Sequence, residues 1–148
     1  MWSEPASRVA GRRRGGTVTI SRINPASLAE PSGFSHAVVG RGTTVFLAGQ
    51  TALNAEGRIV GESVVEQFEQ ALGNLLTALR EAGGEPAQLA SLTVYITDMD
   101  DYRAHAREIG RVWRRLAGTD YPAMAGIGVA RLWDKEALVE VQGFAVID

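Results

Sequence analysis

Cysteine is absent from this 148-residue chain, which excludes disulfides, thiolate metal sites and a cysteine nucleophile. Histidine is nearly absent: His36 and His105 are too few for a convincing metal cluster, so neither a metal nor a cofactor is expected. No apolar run approaches the ~18 residues needed to cross a bilayer. The net charge of −2 leaves no electrostatic footprint for nucleic acid. The arginines of the opening stretch follow rather than precede any apolar segment, and no signal-peptide core is present, so a cytoplasmic location is expected. Also missing are a phosphate-binding G-x-x-x-x-G-K-[ST] loop, a G-x-G-x-x-G opening a helix, a G-x-S-x-G elbow and H-E-x-x-H.

What is there reads as one α+β domain. Residues 1–16 are expected to form a flexible N-terminal tail and residues 17–148 a single domain, with no linker or repeat between them. Val18 to Ile23 alternates as a first strand, and Asn24 to Ser35, holding Pro25, Pro31 and Gly33, reads as a structured connection. The runs His36 to Val39 and Thr44 to Ala48, separated by Gly40-Arg41-Gly42, predict an antiparallel hairpin.

The strongest local signal is a helix. Val64, Val65, Phe68, Leu72, Leu75, Leu76 and Leu79 recur at three- and four-residue steps. Ser63 and Glu66 form a capping box before them, and Gly83-Gly84 supplies a left-handed stop. A strand over Leu89 to Thr97 follows, then a second helix opened by Asp98 and closed at Gly118. Two last strands lie near Ala123 to Leu132 and Leu138 to Ile147. The order predicts a mixed sheet with two helices packed on one face. Trp113 and Trp133 are assigned to packing.

Two features invite chemistry. Arg103, Arg107, Arg111 and Arg114/Arg115 make a basic stripe on the second helix, which would suit an acidic partner or phosphate. In an acidic chain the solvated outer face is the preferred reading. In the penultimate strand, Ala125, Ile127 and Val129 are taken as the core side. Met124, Gly126 and Gly128 then leave a hollow beside Glu140 of the last strand, either a small-molecule cleft or a wet sheet edge.

Several ordered segments resemble the RidA family (also called YjgF, once labelled translation inhibitor or endoribonuclease). They are GFSHAVV, VFLAGQTALNAEGRIVG, QFEQALGNLLTALREAGG, LTVYITDMDDY, YPAMAGIGVARL and ALVEVQGFAV, running from about residue 17 to the end. The resemblance implies a chorismate-mutase-like α+β fold, a homotrimer with ligand clefts between subunits, and cofactor-free hydrolysis of imines and enamines. In that chemistry an arginine holds the substrate carboxylate while a water adds to the C=N carbon.

The chain departs from the family pattern at the cleft. Met124 stands where the family has its carboxylate-binding arginine, Gly126 where a cysteine is frequent, Phe34 for a tyrosine and His36 for a glutamine. Ala48 replaces a serine while Gly49 and Gln50 match. Ala106, with His105 beside it, replaces an asparagine, and Glu140 matches the acid of the last strand. The resemblance thus marks Phe34, Ala48, Gly49, Gln50, His105, Ala106, Met124 and Gly126 as ligand-binding positions and Glu140 as the candidate catalytic acid or base. Losing one guanidinium weakens carboxylate capture ~10–150-fold, and a thioether does not replace a bidentate cation.

The expected protein is a homotrimer binding a small neutral or apolar metabolite between subunits, with weak or no 2-imino acid deaminase activity. The alternatives are an imine or enamine deaminase for a non-standard substrate and a structural module with a vestigial cleft. Neither nucleic acid nor membrane is an expected partner.

Overall fold

The periodic residues 64–79 fold as the first helix, α1 (Val64–Glu81), in the computed structural model, which describes residues 8–14 and 17–148. Before α1 come β1 (Arg8–Arg14), β2 (Thr17–Asn24), β3 (Ala37–Gly40) and β4 (Thr43–Gln50). After it come a 3-10 turn (Pro86–Gln88), β5 (Leu89–Ile96), α2 (Met99–Ala104), α3 (Ala106–Ala117), β6 (Ala123–Gly128) and β7 (Val139–Ile147). Among the described residues no helix is long and apolar enough to cross a membrane.

The caps of α1 are those its sequence calls for, with one change of partner. Ser63 Oγ accepts from the Glu66 amide at 3.1 Å, but the Glu66 carboxylate accepts from the Glu62 amide at 3.0 Å, one residue earlier than a capping box requires. At the other end the Gly84 amide donates to Leu79 O and the Gly83 amide to Arg80 O, both at 2.9 Å, which closes the helix in a Schellman motif.

Strands β4-β7-β5-β6 form one mixed sheet: β7 is antiparallel to both β4 and β5, and β6 runs parallel to β5 at the edge. Val139, Val141 and Ala145 of β7 and Leu92, Val94 and Ile96 of β5 turn to one face, where they meet Phe68, Leu72, Leu75 and Leu76 of α1 and Ile109 and Trp113 of α3. Both long helices therefore cover the same side, as the α+β order predicted. The helix expected over residues 98–118 is interrupted at His105, whose φ of −108° and ψ of 17° leave the helical region. Its Nδ1 lies 2.8 Å from Asp101 O, satisfying a carbonyl at the end of α2.

Two expectations are corrected, and a third is only partly covered by the described residues. Residues 43–50 do not form a hairpin with residues 37–40: β3 pairs with β2 in a separate three-stranded sheet, and β4 pairs with β7. Gly42, at φ +138° and with room for no Cβ (one would lie 2.1 Å from Ile147 O), carries the chain tightly past the end of β7. The tail expected over 1–16 lies partly outside the described residues (1–7, 15 and 16). Its stretch Arg8–Arg14 is β1, paired along β2 from Arg8↔Asn24 to Arg14↔Thr17. That pairing uses the backbone groups that an open β2 edge leaves exposed. Trp113 is buried as expected, but Trp133 is 92% exposed in the loop before β7 and packs nothing.

Candidate functional site

The segment Gly33–His36 is fixed against the start of β6. Ser35 is buried, its amide donates to Pro122 O at 2.9 Å and its hydroxyl to Tyr121 O at 2.7 Å, and it bridges Ala123. Phe34 and His36 flank that anchor, their rings edge to face at 5.1 Å. The His36 amide donates to Asn24 Oδ1 at 2.8 Å and its Nε2 sits 2.7 Å from Ala29 O, so this histidine braces the β2–β3 connection.

Met124 faces the helices, contrary to the expected alternation. Parallel pairing places Leu92 beside Met124, Val94 beside Gly126 and Ile96 beside Gly128, and the first member of each pair is core. A Cβ at Gly126 would meet Ile96 Cδ1 at 3.6 Å, and one at Gly128 would meet Met99 Cε at 3.7 Å. Ile127, expected inside, is 44% exposed on the opposite face. The alternation misleads because neighbours supply the apolar groups that the two glycines lack.

Beside Met124 lies a cavity of about 560 Å³, which Ala106 also lines. Its apolar walls are Phe68, Tyr102, Trp113 and Tyr121. Trp113 and Tyr121 stack at 6.2 Å with an interplanar angle of 23°. Desolvation pushes the Tyr102 phenol up to about 12. Arg107, Arg111 and Arg114 also line this space. The missing arginine of β6 thus has cationic neighbours from α3, exposed on the solvated face expected for that stripe but also bordering this cavity.

Glu140 belongs to the other face of the sheet. It pairs with Tyr95 in the β5–β7 register, and the Tyr95 hydroxyl donates to Oε1 of Gln142, two residues along β7, at 3.2 Å. Around it β4 bulges between Leu47 and Gln50, leaving Ala48 exposed and Gln50 half-buried opposite Val141. Gly49 sits under the carboxylate: a Cβ there would fall 2.1 Å from Glu140 Oε1. Glycine is therefore required for the carboxylate to lie where it does. Among the described residues Glu140 has no ion-pair partner, Arg131 included.

The nine marked positions accordingly divide. Met124, Gly126 and Ala106 lie on the helix side, with Phe34 anchored next to β6, while Ala48, Gly49 and Glu140 lie on the uncovered face and Gln50 at the bulge between. Within one chain Met124 and Glu140 do not share a pocket. His105 stands at the α2–α3 junction, its Nδ1 3.2 Å from the Asp101 carboxylate. The backbone hydrogen bond to Asp101, aided by the charges of Asp101 and Glu108, raises its pKa above the ordinary histidine value. No group of three or more potential metal ligands occurs among the described residues.

Two positioning residues escaped the sequence reading. Buried Arg22 donates to Tyr121 O at 3.1 Å and Ala87 O at 2.6 Å, tying β2 to the approach to β6; burial lowers its pKa, and Asp120 opposes that shift. Buried Gln67 donates to Gly61 O and Glu136 O, both at 3.1 Å, and accepts from the Leu138 amide at 2.8 Å. Its signal was available: a glutamine inside the apolar stripe of α1.

Residues 25–147 match the Endoribonuclease L-PSP family. A RutC family protein of Synechocystis sp. is 33% identical over 132 residues, covering 88% of this chain and 98% of its own. The 2-iminobutanoate/2-iminopropanoate deaminase of Capra hircus is 32% identical, covering 70% of this chain and 72% of its own. The crystal structure of the Rid family protein YyfB of Yersinia pestis superposes with a TM-score of 0.79 at 35% identity, over 87% of this chain and 99% of that one. With its ordered motifs and its single helix-covered face, the chain belongs to the Endoribonuclease L-PSP family, the RidA/YjgF group of Rid proteins.

Proposed function

We propose that this chain is a Rid-type small-metabolite protein that self-associates as a homotrimer through its uncovered sheet face and turns over ordinary 2-imino acids weakly or not at all. The observation that carries the reading is Met124: an uncharged thioether occupies the edge-strand position from which the resemblance has an arginine hold the substrate carboxylate. The test is ammonia release from freshly generated 2-iminobutanoate, beside the 2-iminobutanoate/2-iminopropanoate deaminase as reference. Comparable kcat/KM in the two proteins overturns it.

Self-association is supported by what the sheet leaves open. Phe46 is 77% exposed on the face opposite the helices, edge to face with Phe144 at 5.4 Å, and Ile127 lies exposed on that side. Contiguous apolar area of this kind is costly in water and marks an interface. Because Met124 and Glu140 lie on opposite faces of one chain, a site using both must draw them from different protomers, which suits clefts between subunits. Phe46→Glu is expected to convert the trimer to monomers in sedimentation equilibrium. A wild-type monomer, or a trimer indifferent to that substitution, speaks against this assembly.

The Glu140–Gly49 arrangement favours a second reading, hydrolysis of a neutral imine or enamine. Gly49 lies against the carboxylate, Tyr95 is its cross-strand partner, and among the described residues no cation pairs with it, so a neutral substrate suits that side. Glu140 would take a proton from water as the oxygen adds to the C=N carbon. The acid would return that proton to the nitrogen, and the carbinolamine would pass its hydroxyl proton through Glu140 to the amine as the C–N bond breaks, releasing ammonia and the carbonyl product. Glu140→Gln is expected to lower such turnover by 10²-fold or more while sparing fold and binding. Turnover unchanged in that variant removes Glu140 from the chemistry.

A further inference from the structure

We infer that the helix-side cavity is a binding site for an organic carboxylate with a flat apolar body, held by the guanidinium groups of α3. This goes beyond the reading above, which places a neutral ligand on the Glu140 side. Four observations converge on it.

The first is size and lining. About 560 Å³ lies within the range of small-molecule sites, and the stacked Trp113–Tyr121 pair with Phe68 offers planar apolar surface. The second is charge. Arg107, Arg111 and Arg114 line the same space at helical spacings of three, four and seven, and all three are exposed, so they stand at its mouth. Arg115, one residue on, instead pairs with Glu69 of α1. Among the described residues the three cavity arginines have no carboxylate partner, in a chain whose net charge is −2. Like charges at these spacings repel, and a bound carboxylate relieves that repulsion while accepting forked hydrogen bonds.

The third is space at the mouth. Gly110, within α3, lines the cavity between the arginines, and a Cβ there would lie 3.5 Å from an Arg114 guanidinium nitrogen. A helix interior pays for glycine in stability, and here its absence of side chain keeps the entrance open. The fourth is an unpaired donor. Trp113, which lines the cavity and is 5% exposed, has its indole Nε1 buried with no hydrogen-bond partner; it is the one such side-chain atom among the described residues. Tyr102 contributes a phenol to the same wall.

The test uses phenylacetate as probe and phenylacetamide as its neutral isostere, with binding followed by calorimetry and by the Trp113 indole NMR signal, assigned through Trp113→Phe. Phenylacetate is expected to bind saturably and to move that signal, and the amide to bind at least tenfold more weakly. Arg111→Gln is expected to weaken phenylacetate about tenfold and the triple Arg107, Arg111, Arg114→Gln variant about 100-fold, with the fold intact by circular dichroism. Equal affinity for acid and amide, an unaffected triple variant, or no saturable binding of phenylacetate at all overturns the site and returns the stripe to a solvated face. Ammonia release plays no part in these readouts, so failure here leaves the imine reading standing, and the reverse.

Discussion

Arginine at position 124 is expected to raise kcat/KM for 2-iminobutanoate by about 10–150-fold over the native methionine protein, the range set by one charged hydrogen-bonding contact to a carboxylate. Met124 is half-buried on edge strand β6 with its side chain toward the α3 cavity. An arginine stem can follow the same apolar wall while its head reaches the opening. The α3 arginines do not make this redundant: they approach from the helix, exposed, and do not fix a carboxylate relative to β6. Met124→Lys should recover less, because an ammonium is a point charge where the substrate offers a two-oxygen fork. The measurement is initial-rate ammonia release below saturation, with unfolding curves to show that the variant folds. A folded Met124→Arg protein with unchanged kcat/KM would mean that position 124 does not meet the substrate carboxylate.

Replacing Gln67 by leucine is expected to destabilise the protein by about 3 kcal/mol, although leucine belongs by pattern on that face of α1. The amide side chain satisfies Gly61 O, Glu136 O and the Leu138 amide together, joining the α1 entry to the loop that delivers β7. Leucine of similar bulk removes all three hydrogen bonds at once, and each such contact contributes about 0.5–1.5 kcal/mol. Urea unfolding at a fixed protein concentration measures the loss, since self-association makes stability concentration-dependent. Gln67→Glu should also destabilise, because a carboxylate cannot donate to the two carbonyls. A loss under about 1 kcal/mol for leucine would show that water takes over the three contacts.

How far the site could be read from sequence differs by residue. Glu140 and Gly49 were marked separately, one by the strand pattern and both by resemblance. Their contact depends on a bulge in β4 that no local motif announces. The Met124 position was marked by resemblance, and the face read for it was inverted. A strand alternating Met and Gly with Ala and Ile carries little contrast, and only the register with Leu92, Val94 and Ile96 identifies the inner side. The arginine stripe was assigned to solvent and is exposed, but the cavity it borders was not legible, because a helix pattern locates charges around an axis without saying which neighbour stands opposite. Trp133 shows the same limit in reverse: a large apolar residue is a poor guide to burial outside a periodic element.

By itself the sequence determined the elements whose causes are local. The α1 stripe, its serine cap and its glycine stop act within one or two turns, and the alternation of β5 and β7 fixes which side chains share a face. Composition likewise ruled out thiol chemistry, and the ordered motifs identified the family. Tertiary structure alone decided what depends on strands and helices distant in the chain meeting: that β3 and β4 part into different sheets, that Arg8–Arg14 pairs with β2, that Met124 and Glu140 lie on opposite faces, and that α3 arginines border the Met124 cavity. The physical reason is that register and packing are set by which partner satisfies a backbone group or fills a gap, and that partner is not a neighbour in sequence.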